Sequence, residues 1–129
     1  MGVTTSQLVL LGTNETTGIT IANNATSTSS ETDCLASSTA EGWAFIYQKF
    51  TSTVAVGSMD TKLYPSRVTG QAYSATAPII SSTTPINGTQ NVYPFYQQID
   101  RYNTGAVTNN ATGANITNVL LAINVFIES

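Results

Sequence analysis

The chain has 129 residues, of which 41% are hydrophobic but only 9% charged, against roughly 25% charged in an average globular domain. A net charge of −3 with four Lys and Arg in all falls short of the cation density that nucleic-acid binding draws on, so no direct nucleic-acid partner is expected. The absence of histidine removes Ser-His-Asp and Cys-His nucleophile activation, and one cysteine builds neither a thiolate metal site nor an intrachain disulfide.

The first segment, QLVLL, places Val9 and Leu11 on one face of an extended chain and Leu8 and Leu10 on the other, which predicts a strand buried on both sides. GITIANN alternates Ile19 and Ile21 against Thr20 and Ala22. The polar stretch GTNETTG between them, flanked by Gly12 and Gly18, predicts a hairpin. NNATSTSSETDCLASSTAEG reads equally as an ordered surface loop or as a short helix through Leu35 and Ala36, with Ser30 and Asp33 as a capping box. Cys34 within it reads as a small buried hydrophobe rather than a nucleophile. Glu31 and Asp33 are the oxygen-ligand type that calcium takes, but two acids in a loop are better accounted for by solvation. No metal and no cofactor are expected.

GWAFIYQKFTSTVAVG restores the strand pattern, with Trp43, Phe45 and Tyr47 on one face and Ala44, Ile46 and Phe50 on or near the other. KLYPSRVTG and QAYSATAPII predict strands interrupted by Pro65 and Pro78, and proline confines a segment to the edge or end of a sheet. Asn87-Gly88 is the strongest tight-turn signal in the chain. NVYPFYQQIDRY is an aromatic segment with Pro94 inside it, and NTGAVTNNATGAN is expected as a long polar loop. In the closing NVLLAINVFIES and the threonine before it, Thr117, Val119, Leu121, Ile123, Val125 and Ile127 share one face, while Asn118, Leu120, Ala122, Asn124, Phe126 and Glu128 share the other. This is a long strand with one side in the core and the other half covered.

Together these elements predict a single all-β domain over residues 1–129. The expected architecture is an antiparallel β-sandwich or jelly roll of about seven to nine short strands, with at most one short helix. No stretch approaches the roughly twenty apolar residues of a membrane helix, and the opening MGVTTSQLVLLG has no basic n-region. The chain is therefore expected to fold where it is made, with no membrane partner. Asn14, Asn24, Asn87, Asn110 and Asn115 each head an Asn-X-Thr triplet. Such triplets are glycosylation acceptors in secreted proteins; without a leader-like start they are expected to reflect abundant Asn and Thr.

The functional expectation follows from assembly logic. A surface of hydroxyls and amides packs against copies of itself without desolvating many ions, and a terminal strand apolar on both faces needs a partner. The expected role is a non-enzymatic virion structural protein, a capsid, cement or decoration subunit acting by self-assembly as a homo-oligomer or on a capsid lattice. Its interface candidates are Tyr93, Phe95, Tyr96, Arg101, Tyr102, Val119, Leu121, Ile123, Val125, Phe126 and Ile127. One alternative is an extracellular surface filament subunit that donates residues 1–11 or 117–127 to a neighbour. Another is a carbohydrate-binding module contacting a glycan through Tyr93, Tyr96, Asp100, Arg101 and Tyr102.

Overall fold

The structure, a computed structural model, describes residues 3–14, 16–35, 41–70 and 78–128. Those residues form an all-β sandwich of two antiparallel sheets with no helix. Its ten strands are β1 (Val3–Leu11), β2 (Ile19–Ile21), β3 (Thr26–Thr28), β4 (Thr32–Asp33), β5 (Glu41–Ser52), β6 (Ser58–Ser66), β7 (Ile79–Thr83), β8 (Gly88–Ile99), β9 (Tyr102–Asn110) and β10 (Ile116–Glu128). The expected helix is absent as far as Leu35, where Thr32–Asp33 is a short strand instead; Ala36 and the QAYSATA part of the expected seventies strand lie outside the described residues.

The strand count exceeds the expectation because two strands are broken in the middle. Sheet 1 runs β1-β10-β5-β8, with β2 also on β10, and sheet 2 runs β3-β9-β6-β7, with β4 also on β9. β1 and β2 run in the same direction along one edge of β10, meeting it at Leu11–Leu121 and again at Val119–Ile19. The predicted hairpin is therefore wrong: GTNETTG is an excursion from one interrupted strand. The Asn14 side chain explains the loop, since its Oδ1 accepts from the Thr16 and Thr17 amides at 2.8 and 2.9 Å. Thr13 N–H closes onto Thr17 O. β3 and β4 sit in the same way along β9. The resulting arms pair as β1/β2 with β10, β3/β4 with β9, β5 with β8, and β6 with β7. Most connections cross between the two sheets.

The core lies between the sheets and draws on every long strand. β10 occupies the middle of sheet 1, flanked by β1/β2 and by β5, and Val119, Leu121, Ile123 and Val125 are fully buried. Phe50 and Ile46 of β5, Met59 and Leu63 of β6, and Val107 of β9 complete its centre. The period-two pattern of β10 fails at one place. Asn118 adopts φ +51° and adds an extra residue against β5 between Thr117–Thr51 and Leu120–Lys49. Such a bulge shifts the alternation, so Ile116 is buried while Thr117 is exposed. The bulge is used: Asn118 Oδ1 accepts from the Gly18 amide at 2.8 Å.

Residues 103–110 of the polar stretch expected as a loop belong instead to β9, an inner strand of sheet 2, and only 111–115 form a connection. Of the two buried amides of β9, that of Asn109 is partnered at both ends, while Asn103 donates through Nδ2 and keeps Oδ1 buried without a hydrogen-bond partner. Asn109 Nδ2 donates to Ile21 O and to Ala114 O, both at 2.9 Å, and its Oδ1 accepts from Thr112. Gly105 provides the close approach between the sheets: a Cβ there would lie 2.7 Å from Leu121 Cδ2 and 3.0 Å from Leu10 Cδ1. The prolines obey the edge rule. Pro94 sits with Tyr93 in a bulge opposite Tyr47, on the edge strand β8. Pro65 lies beyond Leu63, the last β6 residue paired with β7. Asn87-Gly88 does turn the chain, with Gly88 at φ +110°, but it passes from β7 of one sheet to β8 of the other rather than closing a hairpin.

Candidate functional site

The outer face of sheet 1 divides into two halves. At one half, the 12–18 loop covers β10. Gly12 approaches Leu120 so closely that a Cβ would lie 2.5 Å from its Cδ1, and Lys49 Nζ donates to Thr16 O at 2.9 Å. Leu120 and Ala122, on the face expected to be half covered, are fully buried. The cover comes from the chain itself.

The other half is aromatic and open. Alternation along β5 turns Trp43, Phe45 and Tyr47 outward, because Ala44, Ile46 and Gln48 face the core. The adjoining strands supply Tyr93 and Tyr96 from β8 and Phe126 from β10. The register sets Phe45 opposite Tyr96, and Trp43 between Gln98 and Phe126. Phe45 and Tyr96 stack with centroids 4.2 Å apart and planes 21° apart. Trp43 tilts against Tyr96 at 5.7 Å, Phe126 meets Phe45 edge-on at 5.9 Å, and Tyr47 and Tyr93 lie 5.5 Å apart. The Tyr47 hydroxyl donates to Asn91 Oδ1 at 2.5 Å; partial burial, with the neighbouring Tyr93, holds its pKa above the usual tyrosine value. Trp43 remains 48% exposed, Phe45 37%, Tyr93 66% and Tyr96 59%. Contiguous aromatic surface of this kind is what soluble monomers keep small and interfaces use.

The structure divides the predicted interface set into three groups. Tyr93, Tyr96 and Phe126 belong to the aromatic face. Phe95, Val119, Leu121, Ile123 and Val125 are core residues, and Ile127 packs against that core. They are unavailable as surface because they face the core between the two sheets. Arg101 and Tyr102 lie where the chain enters β9 of sheet 2, apart from the aromatic face. Arg101 does not pair with its chain neighbour Asp100. Arg101 Nη2 and Nε reach Asp33 of β4 at 2.9 and 3.1 Å, and these hydrogen bonds hold the guanidinium pKa above its ordinary value. Its guanidinium carbon lies 5.0 Å from the Tyr102 ring centre, within cation–π range. Asp100 lies 3.6 Å from Arg67. The five residues proposed for a glycan therefore span two sheets.

Sequence reasoning placed Trp43, Phe45 and Tyr47 on one face but did not count them as site residues. The signal was present in the aromatic alternation, and what it lacked was the pairing of β5 with β8. Glu31 and Asp33 hold tertiary contacts instead of sitting in a solvated loop. Glu31 accepts from the Gly70 amide at 2.9 Å and from Thr69 Oγ1 at 2.7 Å. Cys34 is buried, and burial pushes its thiol pKa up to about 11, which agrees with an inert packing role.

No family model matches this chain, and no curated protein sequence does. Among solved structures it is similar to a pilus protein of Bacillus endospore appendages (10% identity, TM-score 0.43, covering 96% of this chain and 86% of that one). It is similar also to the cleaved adhesin domain K1 of Lys-gingipain from Porphyromonas gingivalis (10% identity, TM-score 0.41, 95% and 72%). A third likeness is to a protein of infectious bursal disease virus (12% identity, TM-score 0.40, 97% and 32%). These are likenesses of β-architecture and assign no function.

Proposed function

We propose that this chain is a structural subunit that assembles with copies of itself or with a shell lattice, by burying the aromatic face of sheet 1. The observation that carries the reading is Trp43, Phe45, Tyr93 and Tyr96 exposed together on a chain in which only 9% of residues are charged. Covering them removes apolar surface from water at little cost in ion desolvation. The work is mechanical, many modest contacts adding through multivalency, and no catalytic step is assigned. The pairing of β1/β2 with β10, β3/β4 with β9, β5 with β8 and β6 with β7 is one long antiparallel ribbon wrapped on itself. This winding supports reading the sandwich as a jelly roll, an architecture shared by viral capsid and lectin domains. It favours the virion version of the reading, as a capsid, cement or decoration subunit, although fold alone does not fix function. The ring geometry favours a protein partner over a sugar, because Phe45 and Tyr96 each close one ring face on the other.

Sedimentation velocity across a micromolar concentration series tests the proposal. An oligomer, or co-purification with a particle, is the expected result. A monomer at every concentration, with no particle associated, overturns it.

One observation favours a filament as the second reading. Among the described residues β1 pairs only with β10 and joins the rest of the chain through the 12–18 loop, so it is the strand that copies can exchange. Gln7 and Asn124 face each other across that pair. Gln7→Cys with Asn124→Cys, in a Cys34→Ser background, reads the outcome on an oxidised gel. A ladder of covalently linked subunits indicates exchange, and a single-subunit band rules it out.

A further inference from the structure

The five Asn-X-Thr triplets are distributed as no composition argument requires. Of eleven asparagines in the chain, the five that head a triplet, Asn14, Asn24, Asn87, Asn110 and Asn115, are all exposed. The other six include the buried Asn103 and Asn109 and the half-buried Asn118 and Asn124. Asn23, Asn91 and Asn118 accept through Oδ1, from the Gly113 amide, the Tyr47 hydroxyl and the Gly18 amide, and the two buried asparagines spend their amide nitrogens inside the fold. Asn109 Nδ2 donates to Ile21 O and Ala114 O, and Asn103 Nδ2 to Asp100 O. In Asn14 and Asn24 it is Oδ1 that is engaged, by the Thr16 and Thr17 amides and by the Ala111 amide, which holds each side chain with its nitrogen free to point outward. Asn14 Oδ1 accepts from the hydroxyl of Thr16, its own triplet threonine, at 2.9 Å. Asn110 Nδ2 has only a long contact, 3.4 Å, to Ser58 Oγ.

Topology gathers these positions. The connections 22–25, 84–87 and 111–115 leave the sandwich at one end, where Ile116 of β10, Gly88 of β8, Asn110 of β9 and Thr26 of β3 lie. Asn24, Asn87, Asn110 and Asn115 belong to that end. Asn14 lies on the 12–18 loop, in the same half of the molecule, beside Lys49 and Asn118. Trp43, Phe45, Tyr96 and Phe126 lie toward the opposite end, two to four residues from the start of β5 or the ends of β8 and β10.

We propose that Asn14, Asn24, Asn87, Asn110 and Asn115 are N-glycosylation acceptors, which coat one end of the sandwich with carbohydrate and leave the aromatic end bare. The donor class is a lipid-linked oligosaccharide. Asparagine Nδ2 forms a bond to the anomeric carbon of its first sugar, the bond from that carbon to the lipid phosphate oxygen breaks, the amide nitrogen gives up one proton, and the lipid phosphate leaves. No oxidant or reductant enters. Glycans at these positions add hydrated bulk where ionic groups are scarce. The inference holds whether or not that face mediates assembly.

Intact mass spectrometry and glycopeptide mapping of the protein from the cells that produce it are the test. The expected result is a mass above 13.6 kDa by discrete sugar steps, with modification at triplet asparagines and none at the exposed Asn23 and Asn91. Asn87→Gln and Asn115→Gln, neither of which removes a hydrogen bond described above, each lose one step with an unchanged melting temperature. A mass equal to that of the bare sequence, or sugars confined to Ser and Thr, overturns the proposal.

Discussion

Tyr96→Ser separates the two roles of the aromatic face. Tyr96 is 59% exposed and stacks on Phe45 at 4.2 Å. An aromatic side chain carries about 150–250 Å², so a partner covering Tyr96 removes about 100 Å² more from water. At about 25 cal/mol per Å² that is about 2.5 kcal/mol, or close to a hundredfold in Kd. Loss of the intrachain stack costs the fold about 0.5–1.5 kcal/mol. Sedimentation equilibrium and urea denaturation of wild type, Tyr96→Ser, Tyr96→Phe and Ile80→Ser read both quantities. Ile80 is as exposed, at 58%, but lies on β7 of the other sheet. Tyr96→Ser is expected to weaken association about a hundredfold while unfolding stays cooperative, and Tyr96→Phe and Ile80→Ser are expected to leave association near wild type. Equal weakening by Ile80→Ser, or unaltered association of Tyr96→Ser, refutes the reasoning.

Three further outcomes follow from the interior. Thr61 Oγ1 donates to Gln48 Oε1 at 3.0 Å within the core, so Thr61→Val costs about 1–3 kcal/mol in chemical denaturation, while Thr61→Val with Gln48→Met recovers most of it; a double variant as unstable as the sum of its singles contradicts this. A Cβ on Gly18 would lie 2.3 Å from the Asn118 carbonyl carbon and 2.4 Å from Val119 O, backbone that cannot yield, so Gly18→Ala is expected to lose about 3 kcal/mol, and an unchanged melting temperature would show that β2 is not seated on β10. The Cys34 thiol ionises near pH 11 when folded but from 9.0 when exposed, so the unfolded chain sheds its proton first as pH rises. Stability should fall by about 2–3 kcal/mol between pH 9 and 11 relative to Cys34→Ala, and parallel pH curves for the two proteins would exclude the effect.

What could be read from the sequence was whatever depended on neighbours along the strand. The burial of Val119, Leu121, Ile123 and Val125 follows from alternation alone, as does the common face of Trp43, Phe45 and Tyr47. What could not be read depended on partners far along the chain. β9 was mistaken for a loop because Asn103 and Asn109 are polar, and their burial is tolerable only once Asp100 O, Ile21 O and Ala114 O are within reach. The partner of Arg101 is of the same kind, since β4 brings Asp33 to it from another part of the chain. The bulge at Asn118 escaped notice because a left-handed residue inside an apolar strand is expected to be glycine. Here an asparagine takes that conformation and uses its side chain to hold Gly18. The candidate site followed the same rule, its β5 half visible in the alternation and its β8 half dependent on cross-strand register.

The position of β10 also constrains how the molecule comes into being. Sheet 1 has its youngest strand in the middle, so β1, β2 and β5 emerge from the ribosome around a gap that only residues 116–128 fill. Until then the two flanks have no backbone partner between them, and the residues that will line the core stand open to solvent. Closure must join Val3 to Glu128, a pairing of very high sequence separation that makes folding slow and late.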